Sequence, residues 1–186
     1  MYSPVAGSHL LHPATGEYTL PYLDEMMSDR QLAVVRLVHR DQGLLVAPGN
    51  PRGITGLADL GGDLSYVNRQ RGAGTRVLLD QELRRLEIDP SKVSGYAREE
   101  PTHLAVAAAI AAGRADCGLG ILAAARAFGL DFVPVAQEPY DLVVDTSSLE
   151  DPLLAPLWNL LASPSFHTAV EALGGYSTGE TGRRIR

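Results

Sequence analysis

Val67-Asn68-Arg69-Gln70-Arg71-Gly72-Ala73-Gly74-Thr75-Arg76 is the stretch on which the fold of this chain turns. An apolar, strand-like lead (Leu64, Tyr66, Val67) runs into a polar, glycine-spaced turn. An amphipathic segment with Val77, Leu78, Leu79, Leu83 and Leu86 then begins at Thr75. Strand, glycine turn and helix start, in that order, make an anion cradle. The glycines let backbone N–H groups approach a ligand, the helix N-terminus adds partial positive charge, and guanidinium groups donate bidentate hydrogen bonds. The stretch carries three arginines and no carboxylate. The alternative is a strand-to-helix turn whose arginines merely face solvent.

Outward from this stretch, strands and helices alternate. Leu32 to Val38 and Gly43 to Ala47 read as two strands joined by a polar link, His39-Arg40-Asp41-Gln42. Ile54 to Leu60 reads as a short helical turn, and a helix is expected from Thr75 to about Glu87, ahead of Pro90. Val93 to Ala97 reads as a brief extended segment. Thr102 stands at the N-cap or first turn of an alanine-rich helix, Leu104 to Ala112, with His103 beside it. The Thr102 hydroxyl either caps that helix or faces a ligand. Asp116 to Ile121 reads as a strand entering a glycine turn, and Leu122 to Phe128 as a helix. Phe132 to Val135 and Leu142 to Val144 are expected strands separated by Tyr140-Asp141, with closing helices at Pro152 to Leu161 and Pro164 to Leu173. Near the start, Val5 to Leu11 reads as a strand end and a turn. Ser8 and His9 stand where strand gives way to loop, as a capping serine and surface histidine or as ligand contacts. The alternation is an α/β pattern with mostly parallel strands, in which ligands bind beyond the carboxyl ends of the strands.

Composition narrows the function. The 186 residues carry a net charge of −6, with 45% hydrophobic and 20% charged residues. An acidic body argues against a nucleic-acid surface, which needs a basic face, and favours a small anion as partner of the arginine loop. Cys117 is the only cysteine and lies in an apolar run, so no disulfide within the chain is expected and the thiol reads as a core group. No run approaches the ~18 apolar residues of a membrane span. Met1 to Gly7 lacks the basic and apolar parts of a secretory signal, so a cytoplasmic protein is expected. His9, His12, His39, His103 and His167 have no metal-ligand spacing, and no Ser-His-Asp or Cys-His order stands out. No catalytic activity, metal site or resident cofactor is expected.

The run Asn68 to Arg76, with Thr102-His103 ahead of Ala105 to Ala112, resembles the periplasmic-binding-protein-like domain of molybdate-related proteins. So do Gly113-Arg114-Ala115-Asp116-Cys117-Gly118-Leu119-Gly120, Tyr140-Asp141-Leu142-Val143 and Leu173-Gly174-Gly175-Tyr176. That family occurs alone, or fused to DNA-binding regulator modules or molybdopterin biosynthesis proteins. The resemblance runs from about Ala6 to Gly182. It implies a type 2 periplasmic-binding-protein-like fold: two α/β lobes, two crossover strands, and an oxyanion or small anionic ligand in the cleft. Lobe one would be residues 1–48 plus 133–186, and lobe two residues 49–132, with crossovers near Gly43 to Pro48 and Phe132 to Val135.

By the same resemblance, Ser8 and His9 belong to a first-lobe loop facing the cleft. Asn68, Arg69, Arg71, Gly72, Gly74 and Thr75 form the second-lobe loop at a helix N-terminus, with Arg69 and Arg71 as charge donors. Thr102 and His103 match a neighbouring helix start. The implied ligand is molybdate or tungstate, with an organic anion such as an amino acid or carboxylate as the alternative, and the output is sensing or delivery in molybdenum-cofactor metabolism or gene regulation. A non-catalytic accessory role in molybdopterin biosynthesis is a further alternative. The family domain normally begins with another βαβα portion of lobe one before the segment matching Ala6. The expectation is therefore an N-terminally truncated lobe, or one that a second copy or another chain completes. Left uncovered, its sheet would expose apolar edges.

Overall fold

Leu32–Val46 forms one continuous strand of 15 residues, β2 in the order used below, and Asp131–Asp145 forms another of the same length, β6. Both cross stretches in which the sequence pattern predicts a break. The polar residues stay in the ladder because each strand brings what the other needs. Arg36 Nε donates to Asp141 Oδ1 at 2.5 Å, Arg40 pairs with Glu138, and Gln137 Nε2 donates to Asp41 Oδ1 at 3.0 Å. Burying a charge is costly unless it is paired, so a lone polar run reads as a loop while two matched runs make a ladder.

In a computed structural model that describes residues 5–186, the remaining elements are β1 (Ala6–Ser8), α1 (Leu20–Met26), β3 (Asn68–Arg69), α2 (Gly74–Arg85), β4 (Glu99–Glu100), α3 (His103–Ala111), β5 (Cys117–Ile121), α4 (Leu122–Ala127), α5 (Ala155–Leu161), α6 (Pro164–Ala172) and β7 (Tyr176–Ser177). Met1 to Pro4, on which the absence of a secretory signal was partly read, lie outside the described residues. The architecture is the α/β one expected, but the strand directions are mixed. The larger sheet has the order β1-β6-β2-β5 with β7 beside β2. Its pairs β1–β6, β2–β5 and β2–β7 run antiparallel. Parallel pairing is found between β3 and β4 and at the Tyr66–Cys117 bridge. The expectation of largely parallel sheets is corrected on this point, because the two long strands carry the antiparallel neighbours.

The chain divides into two units, one comprising the chain up to Arg40 and from Glu138 onward, the other Asp41–Gln137. In the first unit Leu23 of α1 packs with Leu32, Val34 and Val143, and Val35, Leu142 and Leu161 form a second cluster against Trp158 and Phe166. Helix α1 has no counterpart in the sequence pattern. Its seven residues bury one side chain, Leu23, which leaves no periodicity to detect.

In the second unit α3 lies on β5. Val106, Ala107, Ala109 and Ile110 close on Leu45, Val67, Ala124 and Ala125. The segment Val93 to Ala97 is not extended as expected. A 3-10 turn at Pro90–Lys92 and a positive φ of 89° at Gly95 carry the chain round to β4. Small residues set the spacing. A Cβ on Gly118 would lie 2.6 Å from the Val67 carbonyl oxygen and 2.7 Å from Val106 Cγ1. Only glycine lets α3 and the strand that feeds the arginine loop approach β5 this closely. Gly118→Ala is accordingly expected to destabilise the protein by about 1–3 kcal/mol through overpacking. The check is a lower urea midpoint at unchanged m-value; a midpoint equal to wild type would contradict the close approach.

Candidate functional site

The lead into the arginine loop is fixed along β5. Val67 N donates to Cys117 O at 3.0 Å, and Leu119 N donates to the hydroxyl of the fully buried Tyr66 at 3.1 Å. Burial pushes the Tyr66 phenol well above its ordinary value and the Cys117 thiol up to about 12, so neither ionises near neutral pH. Beyond them β3 pairs with β4, Asn68 opposite Glu99 and Arg69 opposite Glu100. Asn68 is buried and works on the backbone: its Nδ2 donates to Tyr96 O at 3.1 Å and its Oδ1 accepts from Arg69 N at 3.0 Å. Gly72, at φ 86°, turns the chain, and α2 begins at Gly74. No side chain caps α2, whose N-cap residue is Ala73. Arg76 N and Val77 N both donate to Ala73 O. The N–H groups of Gly74 and Thr75 belong to the first turn, which has no partner within a helix. Thr75 is 2% exposed.

The three arginines differ in kind. Arg76 is buried, its Nε 3.0 Å from Asp80 Oδ1 and its Nη1 3.3 Å from Glu99 Oε1, and its guanidinium lies 4.0 Å from the centre of the Tyr96 ring. Burial alone would lower its pKa, but hydrogen bonds and charge from Tyr96 and Asp80 outweigh burial and raise it, so the charge is permanent. Arg69 Nε donates to Gln70 Oε1 at 3.1 Å and Nη2 to Pro101 O at 3.2 Å. Arg71 is exposed, with its Nε 3.7 Å from Glu99 Oε1. The loop itself holds no carboxylate, yet β4 delivers Glu99 to two of its arginines. The local positive spot expected from sequence is largely balanced. Glu99 was not among the expected site residues, since a two-residue strand pairing in parallel leaves no signal in the sequence.

Arg69 also ties the two expected ligand loops together, because Pro101 leads directly into Thr102 and His103. Thr102 is the N-cap of α3, its hydroxyl accepting from Ala105 N at 3.0 Å. His103 lies over β5, its Nδ1 3.6 Å from where a Cβ on Gly120 would stand. The second unit thus assembles Asn68, Arg69, Arg71, Gly72, Gly74, Thr75, Thr102 and His103 around one pair of helix starts. Ser8 and His9 belong to the first unit. Ser8 Oγ accepts from Thr19 Oγ1 at 3.1 Å, and the His9 ring stands 4.9 Å from that of Tyr140, over which Arg40 also lies.

A hollow of about 570 Å³ elsewhere in the second unit suits an anion poorly. Asp59 and Asp63 line it, and its one guanidinium, Arg52, is spent on Asp63 at 3.0 Å and Asp116 at 3.7 Å. Among the described residues there is no group of three or more His, Cys, Asp or Glu side chains placed to hold a metal ion, and no helix is long and apolar enough to cross a membrane.

A family model described as the PBP superfamily domain matches residues 2–162. The uncharacterized protein YvgK of Bacillus subtilis (strain 168) is 35% identical over 182 residues, which are 97% of this chain and 58% of that protein. The chain therefore spans less than two thirds of that relative. Among solved structures, a substrate-binding domain ascribed to a molybdenum ABC transporter of Clostridium difficile superposes with a TM-score of 0.57 at 19% identity, covering 85% of this chain and 72% of the other. An ancestral arginine-binding protein bound to glutamine superposes with a TM-score of 0.55, also at 19% identity, covering 84% and 67%. At such identities the two structures speak for the fold, which is that of type 2 periplasmic-binding-protein-like domains.

The buried pairing of Arg76 gives a direct test of how the loop is built. Arg76 is the buried partner of two carboxylates that keep about a third of their exposure, so Arg76→Ala, which removes its packing and hydrogen bonds, is expected to cost about 1–3 kcal/mol of unfolding free energy. Denaturant titration checks it, and a loss within the surface-pair range of roughly 0–1 kcal/mol would contradict the arrangement.

Proposed function

The chain belongs to the PBP superfamily, and from that premise we propose that it is a non-catalytic binding domain for a small oxyanion, with molybdate or tungstate as ligand. The observation that carries this reading is the uncapped start of α2 behind Gly72 and Gly74, flanked by Arg69 and Arg71. Backbone N–H groups of Gly74 and Thr75 and the Thr75 hydroxyl supply donors, the helix start supplies partial charge, and Arg69 and Arg71 supply the compensating cations. Thr102 and His103 stand at the neighbouring helix start that Arg69 reaches through Pro101 O. The Thr102 hydroxyl can donate while it accepts from Ala105 N. The bound state would be read by molybdenum-cofactor metabolism or by a transcriptional partner, in line with the family resemblance and the molybdenum-transporter likeness.

Glu99 favours a second reading. A carboxylate beside anion donors suits a zwitterion, whose ammonium group needs an acceptor, and one structural neighbour holds glutamine. The two readings differ in pocket chemistry: a tetrahedral oxyanion asks only for donors, an amino acid for an acceptor and an apolar wall as well.

Calorimetry with molybdate, tungstate, sulfate, phosphate and glutamine separates them. The oxyanion reading expects saturable binding of molybdate or tungstate. Arg69→Ala should weaken it by about tenfold or more, as for a lost charge-assisted hydrogen bond, and Arg71→Ala by less, because that side chain is 84% exposed. Binding of glutamine with no heat from any oxyanion would transfer the assignment to the second reading. Oxyanion binding unchanged in both variants would remove the site from this loop.

A further inference from the structure

A hollow of about 420 Å³ opens within the first unit, lined from β2, from α5 and from the C-terminal segment after β7. That volume lies in the ~300–1,000 Å³ range of small-molecule sites, which are mostly apolar with a few placed polar groups. Val35 and Leu161, 5% and 2% exposed, form its floor, and Leu149 and Trp158 stand half-buried along it. All four belong to one apolar cluster, so the lining is packed from behind.

The polar donors of the lining are spent, with one exception. Trp158 Nε1 donates to Leu149 O at 3.1 Å, and Thr181 Oγ1 donates to Leu37 O at 2.7 Å. The indole N–H is thereby satisfied, and the ring is left as apolar surface. The exception is Arg184. Its backbone is held by an antiparallel bridge to Val35, with Arg36 N donating to Arg183 O at 2.9 Å and Ile185 N to Val34 O at 2.7 Å. Its Nε donates to Arg186 O at 2.9 Å, and among the described residues no carboxylate side chain pairs with its guanidinium. The arginines around it differ: Arg36 pairs with Asp141, Arg183 with Glu180 and Arg186 with Asp24. A guanidinium offers a planar fork of donors, so one left uncompensated beside an apolar hollow is matched by a carboxylate. An apolar protein face laid over the hollow would have to turn this cation away or desolvate it unpaired.

We propose that the hollow binds a small aliphatic carboxylate, with its chain along Trp158 and Leu161 and its carboxylate on Arg184. The site lies wholly in the first unit and does not rest on the oxyanion reading of the arginine loop.

Trp158 is the one tryptophan of the sequence, so tryptophan emission reports on this hollow directly. The test titrates the whole chain with octanoate, octylamine and octanol, followed by fluorescence and calorimetry. Octanoate is expected to bind saturably, more tightly than octylamine, and to shift the emission to the blue as its chain displaces water from the indole. Arg184→Gln should weaken octanoate binding about fivefold, the upper end for an ion pair at an exposed site, and leave octanol binding unchanged. Ala162→Leu, at an exposed position of the lining, fills part of the volume and should weaken both. No saturable octanoate binding, octanoate affinity unchanged in Arg184→Gln, or octylamine bound as tightly as octanoate would overturn the proposal. So would an emission shift that follows protein concentration and ignores octanoate, which would give the hollow to a second copy of the chain. Octanoate binding abolished by Arg69→Ala would move the carboxylate to the arginine loop and overturn it as well. If circular dichroism shows that one of the two variants of the hollow does not fold, the other carries the test, and wild-type octanoate affinity there overturns the proposal.

Discussion

The guanidinium of Arg76 is the constraint on which the second unit's arginine loop depends. It arises in the first turn of α2, and its partners come from three other directions: Asp80 one turn on, Glu99 from β4, and the face of Tyr96 between them. A side chain 6% exposed with a permanent charge has few tolerable positions. Each one it occupies therefore fixes α2, β4 and the Tyr96 turn relative to one another. Tyr96 in turn returns the favour, its carbonyl accepting from Asn68 Nδ2 and its hydroxyl donating to Asp80 Oδ1 at 2.7 Å. Gly72 and Gly74 can be left bare of side chains because the rigidity they lack is supplied by this buried cation below them.

Much of the fold could be read from the sequence wherever one element settles its own burial. Helices α2, α3, α4 and α6 fall within two residues of their expected ends, since each carries an apolar face, a glycine or proline stop, or both. The long strands were legible only in halves. Arg36, Arg40, Glu138 and Asp141 look like interruptions when each strand is read alone, and become interior once their opposite charges are seen side by side. Pairing between distant segments is information that local periodicity does not contain. Strand direction failed for the same reason: alternation of strand and helix suggests parallel neighbours, while the neighbours of β2 and β6 are set by returns from far along the chain.

At the candidate site the residue types were legible and their roles less so. The glycines and the helix start stand where the motif put them. Asn68 and Arg76, which look like ligand donors in a list of polar residues, are consumed in building the loop, and their deep burial is what separates them from Arg69 and Arg71. Glu99 left no trace in the sequence, because it enters through a two-residue parallel pairing.

Under the proposed oxyanion reading, this arrangement changes what the loop would ask of an anion. Arg71 and Arg76 face Glu99, and Arg76 faces Asp80 as well, so most of the positive charge is cancelled within a few ångströms. Beyond a Debye length of about 8 Å such a cluster attracts little, on a chain whose net charge is −6. Long-range steering is then a small term, and what remains acts at contact: the directions of N–H groups at Gly74 and Thr75, and the reach of Arg69. A cradle balanced in this way would select by the placement of donors rather than by the sum of charges. It follows that ions of equal charge need not bind equally, because a tetrahedral ion whose oxygens meet those donors keeps its hydrogen bonds, and one of another size must leave some of them unmade.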